Sequence, residues 1–172
     1  MLAIVPDGPP PARYTASQGA SVHGLNAAMQ QIERILRANL DGVRARIAGA
    51  CGRAGRAPDA VTLVAVTKTV DASVARVLYD LGLRDLAENR PQALWEKADK
   101  LPYDVRWHLI GRLQTNKIRK TIARTACIHS VDRVRLAEAL SDEGTRAGRR
   151  LRVFLEVNVT GEASKQIGRA HV

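Results

Sequence analysis

The chain has 172 residues, 45% apolar and 26% charged, which is enough for one domain with its own core. Aromatic residues make up only 3%, so that core has to be built from Ala, Val, Leu and Ile. A formal net charge of +10 favours anionic ligands (phosphorylated small molecules, nucleic acid, anionic surfaces) without choosing among them.

The charge pattern argues against nucleic acid. The arginines are scattered through helical segments among Asp and Glu, and no basic run is interleaved with aromatic residues as a single-strand binder requires. A basic nucleic-acid-binding domain is therefore the minor alternative. Cys51 and Cys127 lie far apart without metal-type spacing, so no metal site is expected. Two isolated cysteines fit a reducing cytoplasm. No stretch reaches the roughly 20 apolar residues of a membrane span. The start, Met1-Leu2-Ala3-Ile4-Val5-Pro6, has no basic region and too short an apolar block for a signal peptide.

Residues 1–24 hold Pro6, Pro9, Pro10 and Pro11 with several Gly and Ser, and read as a disordered extension. From Leu25 onward, Leu25, Met29, Ile32, Leu36, Leu40, Val43 and Ile47 recur at three- and four-residue steps. That spacing predicts an amphipathic helix, ended by Gly49 and Gly52. Val61 to Thr67 is a continuous run of apolar and β-branched residues, the pattern of a strand buried on both faces. It ends at Lys68. Asp71 caps a helix that Gly82 stops. Leu83–Asn89, Val105–Ile110, Cys127–Val131 and Leu151–Val157 read as further strands. Gln92–Lys100, Asn116–Ala123 and Val134–Ala147 read as the helices between them.

Strand and helix thus alternate, with strands beginning near residues 61, 85, 106, 126 and 151. This is the signature of βα units in a parallel sheet. The fold class is α/β, with about five units. No Gly-x-Gly-x-x-Gly follows the first strand, which favours part of a (β/α)8 barrel over an open dinucleotide-binding sheet. A closed barrel needs eight strands, and three more units would take roughly 65 residues.

In a barrel, chemistry collects at the C-terminal ends of the strands. Those ends supply Lys68, Glu88-Asn89, Gly111, Ser130 with Asp132, and Asn158, while His108 lies inside the third strand. A lysine desolvated there favours its neutral amine, which forms Schiff bases with aldehydes such as pyridoxal phosphate. Amides and hydroxyls around it make a pocket for a polar, carbonyl-bearing cofactor. Each residue also has a purely structural reading. Asn89 can cap the next helix, His108 can be a satisfied core histidine, and Asn158 can be a turn residue.

Five blocks together resemble a known family. They are Val64-Ala65-Val66-Thr67-Lys68-Thr69; Glu88-Asn89-Arg90 with Gln92 and Lys97; Trp107 through Lys117; His129-Ser130-Val131-Asp132; and Val157-Asn158-Val159 with Glu162-Ala163-Ser164-Lys165. The chain is similar to the pyridoxal phosphate homeostasis proteins from about Leu25 to Lys165. The resemblance implies a barrel like the N-terminal domain of alanine racemase, with pyridoxal 5′-phosphate held on Lys68 as a Schiff base. By position it implies Asn89, His108 and Asn158 as further cofactor-binding residues, and no catalytic residue. It implies a carrier in vitamin B6 balance, with cofactor-dependent apo-enzymes as acceptors. An alanine-racemase-type enzyme is the catalytic alternative, and would need a second domain. Leu86-Ala87 stands where the family usually has Phe-Gly, Pro91 where a β-branched or aromatic residue is common, and Arg112 where Pro is frequent.

The family's phosphate-binding part lies beyond the fifth strand. Residues 25–166 read as a C-terminally truncated barrel domain. Ile167-Gly168-Arg169-Ala170-His171-Val172 is what ATC GGA AGA GCA CAC GTC encodes, a string shared with a common sequencing adapter, so residues 167–172 read as a non-native tail.

Overall fold

The computed structural model describes residues 22–157. Asn158, and the segments 1–21 and 158–172, lie outside the described residues. The chain runs α1 (Val22–Arg53), β1 (Ala65–Val66), α2 (Ala72–Asp80), β2 (Asp85–Glu88), α3 (Pro91–Ala98), β3 (Arg106–Leu109), α4 (Ile118–Ile122), β4 (Thr125–Val131), α5 (Val134–Arg146) and β5 (Val153–Leu155), with short 3-10 turns at Pro58–Ala60 and Thr115–Lys117. All strands are parallel and lie in the order β1-β2-β3-β4-β5.

Strictly sequential order is the decisive topological fact. A doubly wound sheet reverses direction at a switch point, whereas here each crossover moves one strand the same way. Right-handed crossovers then place α2 to α5 on one face, as in a segment of a (β/α)8 barrel. Paired residues of a parallel sheet share a face. Ala65, Leu86 and Trp107 therefore form one row. With Leu109 and Ile128 they are buried in one cluster with Ala75, Leu78, Leu94, Ile118, Ile122, Leu136 and Leu140 of the helices. Val66, Ala87, His108 and Cys127 form the opposite row. That second face is the inner wall of the barrel segment.

The sequence expectations need four corrections. First, α1 begins at Val22, inside the segment expected to be disordered, and passes through Gly49 and Gly52 to Arg53. A glycine costs a helix only about 1 kcal/mol, too little to end one whose neighbouring turns hold. Leu40 and Cys51 of α1 are buried, and Leu36 packs against the core. Second, the long first strand shrinks to Ala65–Val66, the two residues that pair with Leu86 and Ala87 of β2. Val61 and Thr62 are exposed rather than buried. Third, the helix expected over residues 116–123 starts as the 3-10 turn and becomes α-helical only at Ile118. Fourth, β2 and β5 are each trimmed to the residues their neighbours can pair.

The cap of α2 stands as expected. Asp71 accepts from the Val74 amide at 3.0 Å and from the Ser73 hydroxyl at 2.6 Å. The Ser73 bond, together with the Val74 and Ser73 amides, holds the Asp71 carboxyl below the ordinary aspartate value of 3.8 against the opposing effect of burial. A depressed carboxyl stabilises the fold above its unfolded pKa, and the benefit is lost as pH falls through the folded value. Asp71→Ala is expected to cost about 1 kcal/mol at neutral pH. Thermal melts of both proteins should show that gap closing at acid pH; a gap constant with pH would refute the assignment.

Candidate functional site

The strand ends come together as the spacing predicts. After β1, Thr67 continues the pairing by donating its amide to Ala87 O at 2.9 Å. The chain then turns, with the Val70 amide donating to Thr67 O at 3.1 Å. Lys68 sits in that turn, at the C-terminal rim. It is exposed, not desolvated as the continuous apolar run suggested, because among the described residues nothing packs over the rim.

The residue before it is locked from below. Thr67 is fully buried, and its hydroxyl donates to Glu88 Oε1 at 2.7 Å. Lys97 of α3 reaches up beneath the same point. Its ammonium donates to Thr67 O at 2.7 Å and forms a close ion pair with Glu88 Oε1. Glu88 has no solvent exposure and Lys97 only 8%. Three elements, β1, β2 and α3, are thus pinned together directly under Lys68. Sequence reading had Glu88 and Lys97 only as parts of a motif. Their nine-residue separation does mark the end of a strand and the last turn of the helix after it, and a buried strand followed by a helix whose inner stripe carries a lysine is a readable signal.

Asn89 follows Glu88 at the rim and is exposed. It does not cap α3: Arg90 holds the N-cap position, without a side-chain hydrogen bond, and Pro91 takes the first turn where no amide is needed. Gly111, at the end of β3, presses against the Asn89 backbone, and Ser130 of β4 donates to Gly111 O. Asp132 is buried and pairs with Arg133 at 2.6 Å, with Arg112 at 3.9 Å. Arg133 also donates to Leu113 O at 2.9 Å. A cavity of about 600 Å³ opens over these ends. Asn89, Arg90, Arg112, Gln114, Lys117 and Arg133 line it, so four cations face one concavity. Lys68 is not part of its wall.

His108 lies lower, on the inner face, and is buried. Its Nε2 is 3.0 Å from Asp85 Oδ1, and its Nδ1 is 2.8 Å from His129 Nε2. A carboxylate only accepts, so His108 donates from Nε2; with both rings neutral, its Nδ1 then accepts from His129 Nε2. Arg106 completes the chain with a bond to Asp85 Oδ1 at 2.9 Å and a second, close bond to Oδ2. Burial pushes the Asp85 carboxyl up, but hydrogen bonds and charge from Arg106 and His108 outweigh it and hold it below 3.8. Burial, reinforced by His108, holds His129 below 6.5. His108 is therefore a bonded inner-wall histidine, separated by a layer from the rim that carries Lys68 and Asn89.

No family model matches the chain. Individual proteins do. It is 43% identical over 128 residues to the pyridoxal phosphate homeostasis protein of Pseudomonas aeruginosa, covering 74% of this chain and 56% of that one. It is 39% identical over 138 residues to the protein of the same description from Aquifex aeolicus, covering 80% and 58%. The chain is similar to pyridoxal phosphate homeostasis proteins over the part it shares with them. It spans little more than half the length of these curated relatives. Among solved structures, an unknown protein from Bifidobacterium adolescentis superposes with a TM-score of 0.71 at 37% identity, over 78% of this chain and 59% of that one. PipY of Synechococcus elongatus, solved with PLP bound, gives a TM-score of 0.57 at 37% identity, over 67% and 56%.

No helix among the described residues is long and apolar enough to cross a membrane.

Proposed function

We propose that this protein holds pyridoxal 5′-phosphate covalently on Lys68 and serves intracellular vitamin B6 homeostasis. The observation that carries the reading is Lys68 at the rim of a parallel sheet, pinned from below by the Glu88–Lys97–Thr67 contacts, in a chain whose relative PipY was solved with PLP bound. The cofactor brings an aldehyde electrophile and a phosphate. The cavity lined by Arg90, Arg112, Lys117 and Arg133 draws a phosphorylated ligand toward the rim by charge, and Asn89 lines it, although Lys68 does not. Lys68 Nζ would hold the group through its aldehyde carbon with release of one water, and the group would supply a carbonyl electrophile there. Asn158, beyond the described residues, and His108 of the inner wall belong to the same proposal through the family blocks.

Exposure of Lys68 suits a link made and broken rather than one sealed for turnover. We read the role as carrier, with apo-enzymes that use the cofactor as acceptors, in the cytoplasm. The free, buried Cys51 and Cys127 fit that reducing compartment. The domain unit proposed for this role is residues 25–166, extended at its start by the first turn of α1.

The test uses the full-length protein. Incubation with pyridoxal phosphate and then borohydride should place one reduced adduct on Lys68 by mass spectrometry, and Lys68→Ala should abolish it. An adduct on another lysine sinks the assignment.

A further inference from the structure

The inner wall carries an arrangement of which the cofactor reading uses only His108. His108, Cys127 and His129 bring one nitrogen, one sulfur and one nitrogen within 4.8 Å of one another. We propose that these three side chains form a zinc-binding site on the inner wall of the barrel segment, with Asp85 orienting its first histidine.

The sequence shows no metal spacing because the ligands come from two strands. What assembles them is an irregularity in β4. Trp107 pairs with Thr125, but His108 pairs with Cys127, so Ala126 is the extra residue opposite one step of β3. Without that bulge, Ala126 and Ile128 would share His108's face. With it, Cys127 and His129, two residues apart on one strand, both turn to His108. The wall gains a thiol and an imidazole where regular pairing would give Ala and Ile.

The donor set suits the ion. Thiolate plus two imidazoles is zinc chemistry, and three protein ligands leave a fourth position for water or a ligand. Zn–N bonds of about 2.0–2.1 Å and a Zn–S bond of about 2.3 Å put tetrahedral ligand atoms roughly 3.3–3.6 Å apart. The His108 and His129 nitrogens at 2.8 Å would open slightly, and the sulfur would close by about an ångström, within the reach of small side-chain rotations.

The surrounding contacts carry the argument further. A metal-bound histidine usually donates its other ring N–H to a carboxylate, which fixes the tautomer and orients the ring. His108 already does so to Asp85, itself gripped by both ends of the Arg106 fork, so the Nδ1 lone pair is aimed at the cluster. The Phe154 ring of β5 packs tilted against the His129 ring, with centroids 4.9 Å apart. The proton balance is simple. The proton on His129 Nε2 that bridges to His108 moves to Nδ1, the Cys127 thiol releases its proton to water, and the ion takes both vacated lone pairs with the His108 Nδ1 pair.

The experiment uses full-length, reduced, cofactor-free protein, so that failure here and failure of the Lys68 reading are seen separately. Cobalt(II) serves as the optical probe and zinc as its competitor. One equivalent of cobalt should give a tetrahedral visible spectrum with a thiolate charge-transfer band, and one equivalent of zinc should erase it. Cys127→Ser should remove the charge-transfer band while the far-ultraviolet circular dichroism of the metal-free variant matches the parent. His129→Gln should lower the coordination number. Asp85→Asn should weaken zinc binding by about 10–100-fold with the band retained, the mark of a residue that positions a ligand without being one. Absence of the band at one equivalent, or zinc affinity unchanged in both Cys127→Ser and His129→Gln, overturns the site.

Discussion

Glu88→Ala is expected to destabilise the full-length protein by about 3–5 kcal/mol, since it strands a buried ammonium. The magnitude follows from what remains. Lys97 is 8% exposed, and its Nζ has two partners, Glu88 Oε1 and Thr67 O. Removing the carboxylate leaves a cation facing one carbonyl, and Thr67 loses the acceptor of its hydroxyl, which then falls back on Ala87 O at 3.2 Å. Replacing both charged partners with Met restores an apolar contact of similar volume and is expected to recover most of the loss, because breaking a buried pair costs more than never having it. Denaturant unfolding of the single and double variants measures this. A single-variant loss below about 1 kcal/mol would mean that the pair is solvated in solution, as exposed pairs are. The site should report the same event: the Thr67–Lys68 turn loses its tether, so the borohydride-trapped fraction on Lys68 should fall even where the variant stays folded.

The pair also shows why part of the site was legible in the sequence and part was not. Strand-end positions follow from periodicity alone. Alternation of apolar strands and amphipathic helices fixed which residues reach the rim, and Lys68, Asn89, Gly111, Ser130 and Asp132 are there. What happens below the rim depends on neighbours distant in sequence. Glu88 reads as a polar rim residue until α3 is seen to swing Lys97 beneath it. His108 reads equally as core or as ligand until Asp85, 23 residues earlier, is found at its Nε2. The Cys127–His129 face depends on a one-residue bulge, and a bulge shifts register without leaving a compositional trace. The first strand failed for a related reason. Its β-branched run was long enough to pair, but only Ala65 and Val66 find partners, in Leu86 and Ala87.

The sequence-order sheet makes β1 and β5 its two edges among the described residues. Val153, Phe154 and Leu155 of β5 are exposed on both faces. Their apolar side chains and unpaired backbone groups make β5 an exposed edge among the described residues. The inner wall is correspondingly polar at its centre and apolar at its open edge.

Gly111→Ala is expected to be the most damaging change that adds a single methyl group. A Cβ at this position would stand 2.0 Å from Asn89 O, 2.8 Å from Asn89 C and 3.0 Å from Asn89 Cα. All three atoms are backbone, so no side-chain rotation relieves the contact. β2 and β3 must part at their ends, straining the bond from the Ile110 amide to Glu88 O at 2.9 Å and the bond from Ser130 to Gly111 O. Overpacking a rigid contact costs about 1–3 kcal/mol, and a clash against backbone belongs at the upper end. The displacement falls on Asn89, so cofactor retention should drop along with stability. Gly42→Ala supplies the opposite case. Its Cβ meets nothing within 4 Å on α1, and alanine there should stabilise the helix by about 1 kcal/mol through propensity alone. Chemical denaturation of the two variants, with pyridoxal phosphate retention after gel filtration, separates the effects. Equal stability of Gly111→Ala and the parent would show that the rims of β2 and β3 are further apart in solution than this packing allows.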